Sequence, residues 1–371
     1  MAETLKEGFG PEMIDLIAAQ IARVRSDFDT LSFQQFCADG FDDLELTPRA
    51  RRIAAGMARF LPEDRSEAIA ILTETLDEWP ERGDHPMASF VHLPAVYFVA
   101  DHGLDHFDAS MELQRELTRL FTAEFSIRAY LEQHEERTLA VLAEWAHDPD
   151  EDIRRLVSEG TRPRLPWAPR LKRFQQDPSP VLDLLEQLRD DQSEYVRRSV
   201  ANNLNDIAKD HPDAVVETAR RWMVDATEPR RRLIRHGLRT LIKQGHAGAL
   251  DVLGFGHVSP LQVAAVTFHP ETVQIGSKVS AAVELLNPSD QVATALVDLG
   301  VHFVKADGSA RPKVFKGAEL EVPPGEIRVI RKTISVAQQT TRTHYPGWHT
   351  MDVIVNGRSE TVGGFELVAE A

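Results

Sequence analysis

One helical segment combines three kinds of polar side chain on a single side. In SEYVRRSVANNLNDIAKD, residues 193–210, Arg198, Asn202 and Asp206 follow one another at intervals of four residues, which places them on one helix face. Arginine and asparagine are suited to contacts with phosphate and sugar. A carboxylate among them would repel phosphate, so Asp206 is costly there unless it has a chemical role. We therefore treat Asp206 as a candidate catalytic residue.

A second candidate acid, Glu124, lies among apolar residues in FTAEFSIR. Two carboxylates beside a sugar could stabilise an oxocarbenium-like transition state and position a water molecule, as in glycoside hydrolysis. The alternative is that both acids form ordinary surface ion pairs, Glu124 with Arg128 and Asp206 with Lys209, because residues three or four apart meet on a helix. Spacing alone leaves both interpretations open.

The segment GTRPRLPWAPRLKRF, residues 160–174, carries five basic residues, no acid, and Trp167 between two prolines. Pro166 and Pro169 restrict the backbone, so the segment predicts a stiff loop or a short helix start. A fixed tryptophan beside basic residues can present its ring face to a cation while the Lys and Arg side chains bind phosphate. Trp167 is therefore the third candidate site residue. The alternative is a core tryptophan, the commoner fate of a lone aromatic residue.

Three helical segments resemble one another: DEDIRRLVSEGTR at 150–162, SEYVRRSVANNLN at 193–205 and EPRRRLIRHGLRT at 228–240. Helices repeated at intervals of roughly 35 to 45 residues are typical of a HEAT-like solenoid. Stacking would align their polar faces, together with the basic segment, into one phosphate-binding groove. Its predicted residues are Arg155, Arg162, Arg164, Lys172, Arg173, Arg198, Asn202, Arg232, Arg235 and Arg239.

The charge distribution agrees with a single basic surface. The whole chain has a formal net charge of -16, yet residues 152–243 carry 19 Lys and Arg against 14 Asp and Glu, a net +5. Residues 1–151 carry 13 against 31, a net -18. A basic stretch inside an acidic protein is expected where one surface meets a polyanion, although a solvated helix face would show the same charge.

The pattern of apolar residues changes from helical to strand-like at about residue 258. Up to that point it reads as amphipathic helices joined by short breaks, and afterwards Val, Ile and Thr alternate between turn signals such as ADG, PPG and NG. We predict an all-α HEAT-like domain over residues 1–257, followed by a small all-β immunoglobulin-like sandwich over residues 260–371. The boundary is expected in GFGHVSP, which is rich in glycine and ends in proline.

Several classes of protein lack support. The single cysteine, Cys37, excludes an internal disulfide and a cysteine-rich zinc cluster. His102 and His106 in DHGLDHFD have a metal-binding spacing but no third ligand, so we interpret them as a polar helix end. The sequence has no P-loop, GxGxxG or GxSxG motif, so nucleotide hydrolysis, dinucleotide redox and α/β-hydrolase chemistry have no support. No metal and no cofactor are expected. It also lacks a signal peptide and a long apolar run, which predicts a cytoplasmic protein that does not enter membranes.

Four stretches together resemble the AlkC family of bacterial alkylpurine DNA glycosylases: FTAEFSIRAYL, RRLVSEGTRPRLPWAPRLKRF, YVRRSVANNLNDIAKDHPD and RRRLIRHGLRTLIKQG. The resemblance covers nearly the whole chain. It implies a HEAT-like enzyme that removes cationic bases such as 3-methyladenine and 3-methylcytosine from duplex DNA without base flipping. It also implies that Glu124, Trp167 and Asp206 form the active site.

The expected partner is double-stranded DNA containing alkylated bases, bound by a monomer without an obligatory protein partner. The segment ARPKVFKG further predicts that the sandwich contacts DNA through basic residues such as Arg311, Lys313 or Lys316. Two alternatives remain: a non-catalytic HEAT-repeat scaffold for an acidic protein, and a structure-specific DNA-binding protein that releases no base. Neither would need an acid pair and a tryptophan inside a basic groove.

Overall fold

A computed structural model describes Lys6 and residues 8–76, 88–256, 258–338 and 343–369. The chain forms two compact units. The first comprises Met1–His211 and Asp225–Gly237, and the second comprises Pro212–Val224 and Leu238–Ala371.

Helices account for the chain up to residue 252 in the described ranges. Their bounds are α1 Glu12–Val24, α2 Thr30–Ala38, α3 Leu46–Phe60, α4 Arg65–Leu76, α5 Leu93–His102, α6 Phe107–Leu120, α7 Ile127–Gln133, α8 Glu135–Trp145, α9 Glu151–Gly160, α10 Lys172–Gln176, α11 Ser179–Leu188, α12 Glu194–Ile207, α13 Pro212–Met223, α14 Glu228–Gly237, α15 Arg239–Lys243 and α16 Ala247–Val252. Single 3-10 turns lie at Phe41–Asp43 and Ala88–His92.

The three similar segments pack side by side in the first unit as α9, α12 and α14, with α12 in contact with both others. Each turns an apolar stripe inward, and the buried residues are Ile153, Leu156 and Val157 on α9, Val196, Val200 and Leu204 on α12, and Leu233 and Ile234 on α14. Burial of such stripes supplies most of the stability of short helices. This packing is the arrangement that the repeat interpretation predicts.

A repeated arginine fixes the start of each of these helices. Arg154 donates to the carbonyl oxygens of Asp148 and Pro149, at 2.8 and 2.9 Å. Arg197 and Arg231 make the corresponding bonds, to Asp191 O at 2.5 Å and to Ala226 O at 3.0 Å. The first arginine of each pair in the repeated sequence is therefore structural, because it ties the helix to the turn before it.

Eight strands follow in the second unit: β1 Gln262–His269, β2 Thr272–Gln274, β3 Lys278–Leu286, β4 Ala293–Val304, β5 Ala310–Val322, β6 Ile327–Ser335, β7 Gly347–Val355 and β8 Arg358–Val368. They form a sheet of order β1-β3-β6 and a sheet of order β2-β8-β7-β4-β5, antiparallel except for the β2–β8 pair.

Alternate residues of the two sheets bury one shared core, which includes Val279 and Val283 of β3 and Val297 and Leu299 of β4. The predicted architecture, a helical region followed by a small β domain, is confirmed. The predicted boundary near residue 258 stays a prediction.

Candidate active site and nucleic-acid interface

Glu124 lies between α6 and α7, at the end of a short turn that Thr122 fixes. The Thr122 hydroxyl accepts from the Glu124 amide and donates to the Glu124 carboxylate, both at 3.2 Å. The carboxylate then reaches Arg155 of α9 at 2.8 Å. Glu124 therefore pairs with Arg155, and the alternative pairing with Arg128 is wrong.

Asp206 lies near the end of α12 and is only 2% exposed. Its Oδ2 accepts from Nε of Arg162 at 2.8 Å, and its Oδ1 accepts from Nζ of Lys209 at 2.9 Å. The pairing with Lys209 that spacing suggested is thus present, but a second and more buried partner accompanies it. An acid held in this way stays available as a fixed negative charge.

Glu159 connects these two acids. The Glu159 carboxylate forms an ion pair with Arg162 at 2.7 Å and lies 3.6 Å from Arg155. Acids and arginines therefore alternate through successive contacts, in the order Glu124, Arg155, Glu159, Arg162 and Asp206. We call these five residues the acid–arginine chain. Burial disfavours the charges of both arginines, but the neighbouring carboxylates outweigh it and raise the pKa of Arg155 and of Arg162.

Trp167 stands beside this chain on the loop that follows α9. It is 82% exposed, and its φ of 64° lies in the left-handed region that an aromatic residue rarely adopts. The alternative of a core tryptophan is therefore wrong. A strained and exposed aromatic residue is held for some purpose other than packing in the core.

Arg128 holds the Trp167 loop in place. This arginine is 4% exposed, and burial lowers its pKa to about 10. Its Nη1 donates to the carbonyl oxygens of Gly160 and Arg162 at 3.1 and 2.8 Å, and its Nη2 donates to Pro169 O. Both ends of the loop are thus tied to one buried side chain, a role that the sequence analysis missed.

A cavity of about 740 Å³ opens next to Glu124 and Trp167, which both line it. Its lining includes the aromatic residues Phe90, Tyr97, Phe121 and Phe125 and also the Lys6–Glu45 ion pair. Phe90 packs on Phe121 with ring centroids 5.0 Å apart, and Tyr97 stacks with Phe125 at 6.4 Å. Glu124 therefore lines a cavity whose walls are mainly apolar.

A second surface, lined by α12 and α14, carries the outer predicted residues. Arg198, Asn202 and Arg232 line one cavity of about 540 Å³, together with Arg197 and His236. The side chains of Arg198 and Arg232 are 69% and 78% exposed, and each pairs with a glutamate one turn away on its own helix. We call these two residues the open arginines. They can reach a phosphate without leaving a buried partner behind.

The remaining predicted phosphate-binding residues are more dispersed. Arg164 pairs with Asp210 at 2.6 Å, and Arg173 pairs with Asp177 at 3.2 Å, while Lys172 is exposed and lines a cavity with Arg173. Arg235 is half-buried on α14, and Arg239 begins α15 in the second unit. The structure thus brings Arg155 and Arg162 together, and separately Arg198, Asn202 and Arg232.

The weaker sequence signals have the following positions in the described ranges. His102 ends α5 and His106 precedes α6, and the described part of the chain contains no group of three or more His, Cys, Asp or Glu placed to hold a metal ion. No helix within those ranges is long and apolar enough to cross a membrane. In the β domain Lys313 and Lys316 lie on β5, whereas the side chain of Arg311 lies outside the described residues.

Comparison with known proteins gives two family matches. Residues 45–236 match the family described as DNA alkylation repair enzyme, and residues 262–369 match the C-terminal Ig-like domain of the uncharacterised protein YhaZ. YhaZ of Bacillus subtilis (strain 168) is 34% identical over 371 residues, which is 98% of this chain and 99% of YhaZ.

A solved structure is similar over the whole chain. The alkylpurine DNA glycosylase AlkC of Pseudomonas fluorescens, bound to DNA containing an abasic site analog, is 35% identical with a TM-score of 0.87. The match covers 99% of this chain and 100% of that one. The predicted resemblance to AlkC, the predicted fold and the predicted enzyme class are confirmed. Because the first family match alone spans more than half of the sequence, this chain belongs to the DNA alkylation repair enzyme family.

Proposed function

We propose that this enzyme hydrolyses the N-glycosidic bond of cationic alkylated bases in double-stranded DNA, with 3-methyladenine and 3-methylcytosine as substrates and without flipping the base. The observation that carries the proposal is the acid–arginine chain, which ends in Glu124 and Asp206 and lies beside the exposed Trp167. The similarity to AlkC, an alkylpurine DNA glycosylase, supports alkylated bases in DNA as the class of substrate.

The chemistry needs little besides negative charge and a water molecule. Alkylation of a ring nitrogen makes the base cationic, so the bond from C1′ to the base breaks with its electron pair returning to the ring, and a neutral base leaves. Positive charge then develops on the deoxyribose, which the carboxylates of Glu124 and Asp206 stabilise. Water adds to C1′ and passes its proton to one of these carboxylates. A strong general acid is unnecessary, because the leaving group already carries its charge.

Trp167 has a complementary role in this proposal. Its exposed indole presents a π face, which attracts a cationic base or the developing sugar cation. Arg128 fixes the loop before DNA binds, so no further conformational entropy is lost in ordering the indole ring when binding occurs. The left-handed backbone at Trp167 is consistent with strain kept for function.

DNA binding is assigned mainly to the open arginines and to the exposed lysine and arginine side chains of the 160–174 segment. Phosphate contacts of this kind give affinity that falls with salt and carries little sequence information. We propose that the β domain adds contacts through Lys313 and Lys316, with the domain boundary near residue 258. Normal duplex affinity in a protein ending near residue 257 would contradict a DNA-binding role for the β domain.

The test is release of free base from methylated duplex DNA, scored separately for 3-methyladenine and 3-methylcytosine. We expect release by the wild type and a loss of about 100-fold in Glu124→Gln and Asp206→Ala, with duplex binding retained. No release of any alkylated base would overturn the proposal. It would favour a structure-specific DNA-binding protein if the duplex is bound, and a non-catalytic scaffold if it is not.

A further inference from the structure

The acid–arginine chain poses an electrostatic problem for the proposed reaction. Glu124 is 2.8 Å from Arg155, and Asp206 is 2.8 Å from Arg162. A carboxylate paired so closely with a guanidinium forms a dipole, whose field falls off faster with distance than that of a single charge. Two isolated pairs would therefore stabilise a sugar cation poorly.

Glu159 is positioned to solve this problem. It is 7% exposed on α9, and its Oε1 faces both arginines, at 2.7 Å from Arg162 and 3.6 Å from Arg155. Its Oε2 accepts from the hydroxyl of Ser199 on α12 at 2.7 Å, and that hydroxyl in turn accepts from Ser158 at 2.7 Å. Both carboxylate oxygens thus have partners, which fix the carboxylate close to both arginines.

The charges along the chain show what Glu159 contributes. Three carboxylates face two guanidiniums and the ammonium of Lys209, which lies 2.9 Å from Asp206, so these six groups carry no net charge. Removal of the Glu159 charge would leave Arg155, Arg162 and Lys209 facing only the two outer acids. The site would then present a net positive charge to a developing cation.

We infer that Glu159 is a positioning residue of the glycosylase reaction, whose charge offsets Arg155 and Arg162 so that the site does not present a net positive charge to the developing sugar cation. The inference rests on the proposed function. A purely structural role, holding α9 against α12 through Ser199, is the alternative to be separated from it.

The experiment compares base release and duplex binding in Glu159→Gln, a nearly isosteric change. We expect the single-turnover rate of base release to fall at least tenfold, on the order of losses seen when one stabilising group is removed from an active site. Duplex affinity should stay unchanged or increase, because a negative charge has left a DNA-binding surface. A structural defect would instead weaken binding and release together.

Glu116→Gln is the matched control. Glu116 also bridges two arginines, Arg119 at 2.8 Å and Arg115 at 3.5 Å, but lies on α6 outside the acid–arginine chain. Its rate of base release should remain within twofold of the wild type.

A rescue experiment distinguishes charge from structure. Adding Lys209→Met to Glu159→Gln restores the net charge around Asp206, so we expect several-fold recovery of the rate. Should Glu159→Gln fail to fold, Lys209→Met alone should release base at or above the wild-type rate, and a tenfold loss with unchanged binding would overturn the inference.

Other outcomes also decide the matter. A rate within twofold of the wild type in Glu159→Gln, or a parallel loss of rate and binding without rescue, overturns the role of Glu159. Absence of base release by the wild type itself is a different result, because it refutes the proposed function.

Discussion

The α9 region and the α12–α14 surface carry similar sequences but treat their arginines differently. On α9 the second arginine of the repeated pair, Arg155, lies between two acids and is largely buried. Its counterparts Arg198 and Arg232 are exposed and each pairs with a glutamate on its own helix. One repeat position therefore serves two purposes: in α9 it belongs to a charge-balanced centre, and in the other two helices it is open to a phosphate.

The largest expected effect separates the structural arginine from the open one on neighbouring repeats. Arg154 is buried and pairs with Asp191 at 2.6 Å, so Arg154→Met leaves a buried carboxylate without its partner and should cost about 3–5 kcal/mol of unfolding free energy. Arg198→Met removes only an exposed pair and should change stability by less than about 1 kcal/mol. Urea denaturation of both variants measures these free energies of unfolding. Equal losses in the two variants would contradict the contrast between the structural and the open arginine.

His92 should contribute to the acid sensitivity of the fold. Burial lowers the pKa of His92 to about 4, below its ordinary value of 6.5. The folded state then binds fewer protons than the unfolded state, so stability is complete above pH 6.5 and is lost as pH falls towards 4, by at most about 3 kcal/mol. Denaturation of His92→Gln between pH 7 and 4 should show a flatter dependence, and an unchanged slope would contradict this origin.

Trp167 should show a division between stability and activity. Asparagine tolerates the left-handed backbone better than tryptophan, so Trp167→Asn should leave stability unchanged or raise it by up to about 1 kcal/mol. Base release should nevertheless fall at least about tenfold, because the exposed ring is gone. Thermal denaturation and single-turnover release test the two halves, and a loss of stability would return Trp167 to a packing role.

The smallest effects are expected at the open arginines. Arg198→Ala and Arg232→Ala should each weaken duplex binding several-fold and reduce the slope of log affinity against log salt by about one. The same measurement on a surface arginine away from the groove, Arg137→Ala, should show neither change. Binding that loses affinity without any change in salt slope would place these residues outside the phosphate contacts.

The fold was accessible from sequence because its signals are local. Helical apolar stripes such as Val196, Val200 and Leu204 have the required spacing, and alternating residues such as Val279, Ala281 and Val283 predict strands that share a buried face. The positions of Glu124, Trp167 and Asp206 came from unusual residues in an unusual setting: acids among bases, and a tryptophan between prolines.

The pairing within the site was not accessible in the same way. The sequence does not distinguish Arg154 from Arg155, because their difference arises from which partner the helix turns towards each of them. Arg128 lies four residues after Glu124, yet it clamps a loop more than 30 residues away instead of pairing with that acid. Glu159 had a local signal, since it stands four residues after Arg155 and three before Arg162, but its link to Asp206 depends on the packing of α9 against α12.

Catalysis and DNA binding are separated by comparing Glu124→Gln with Arg232→Ala, with the single-turnover rate of base release and the duplex Kd recorded for each variant. We predict a rate loss of about 100-fold with unchanged Kd in Glu124→Gln, and a several-fold weaker Kd with an unchanged rate at saturation in Arg232→Ala. Variants that lose rate and affinity in the same proportion would contradict the division of this protein into a catalytic acid–arginine chain and a separate set of open arginines.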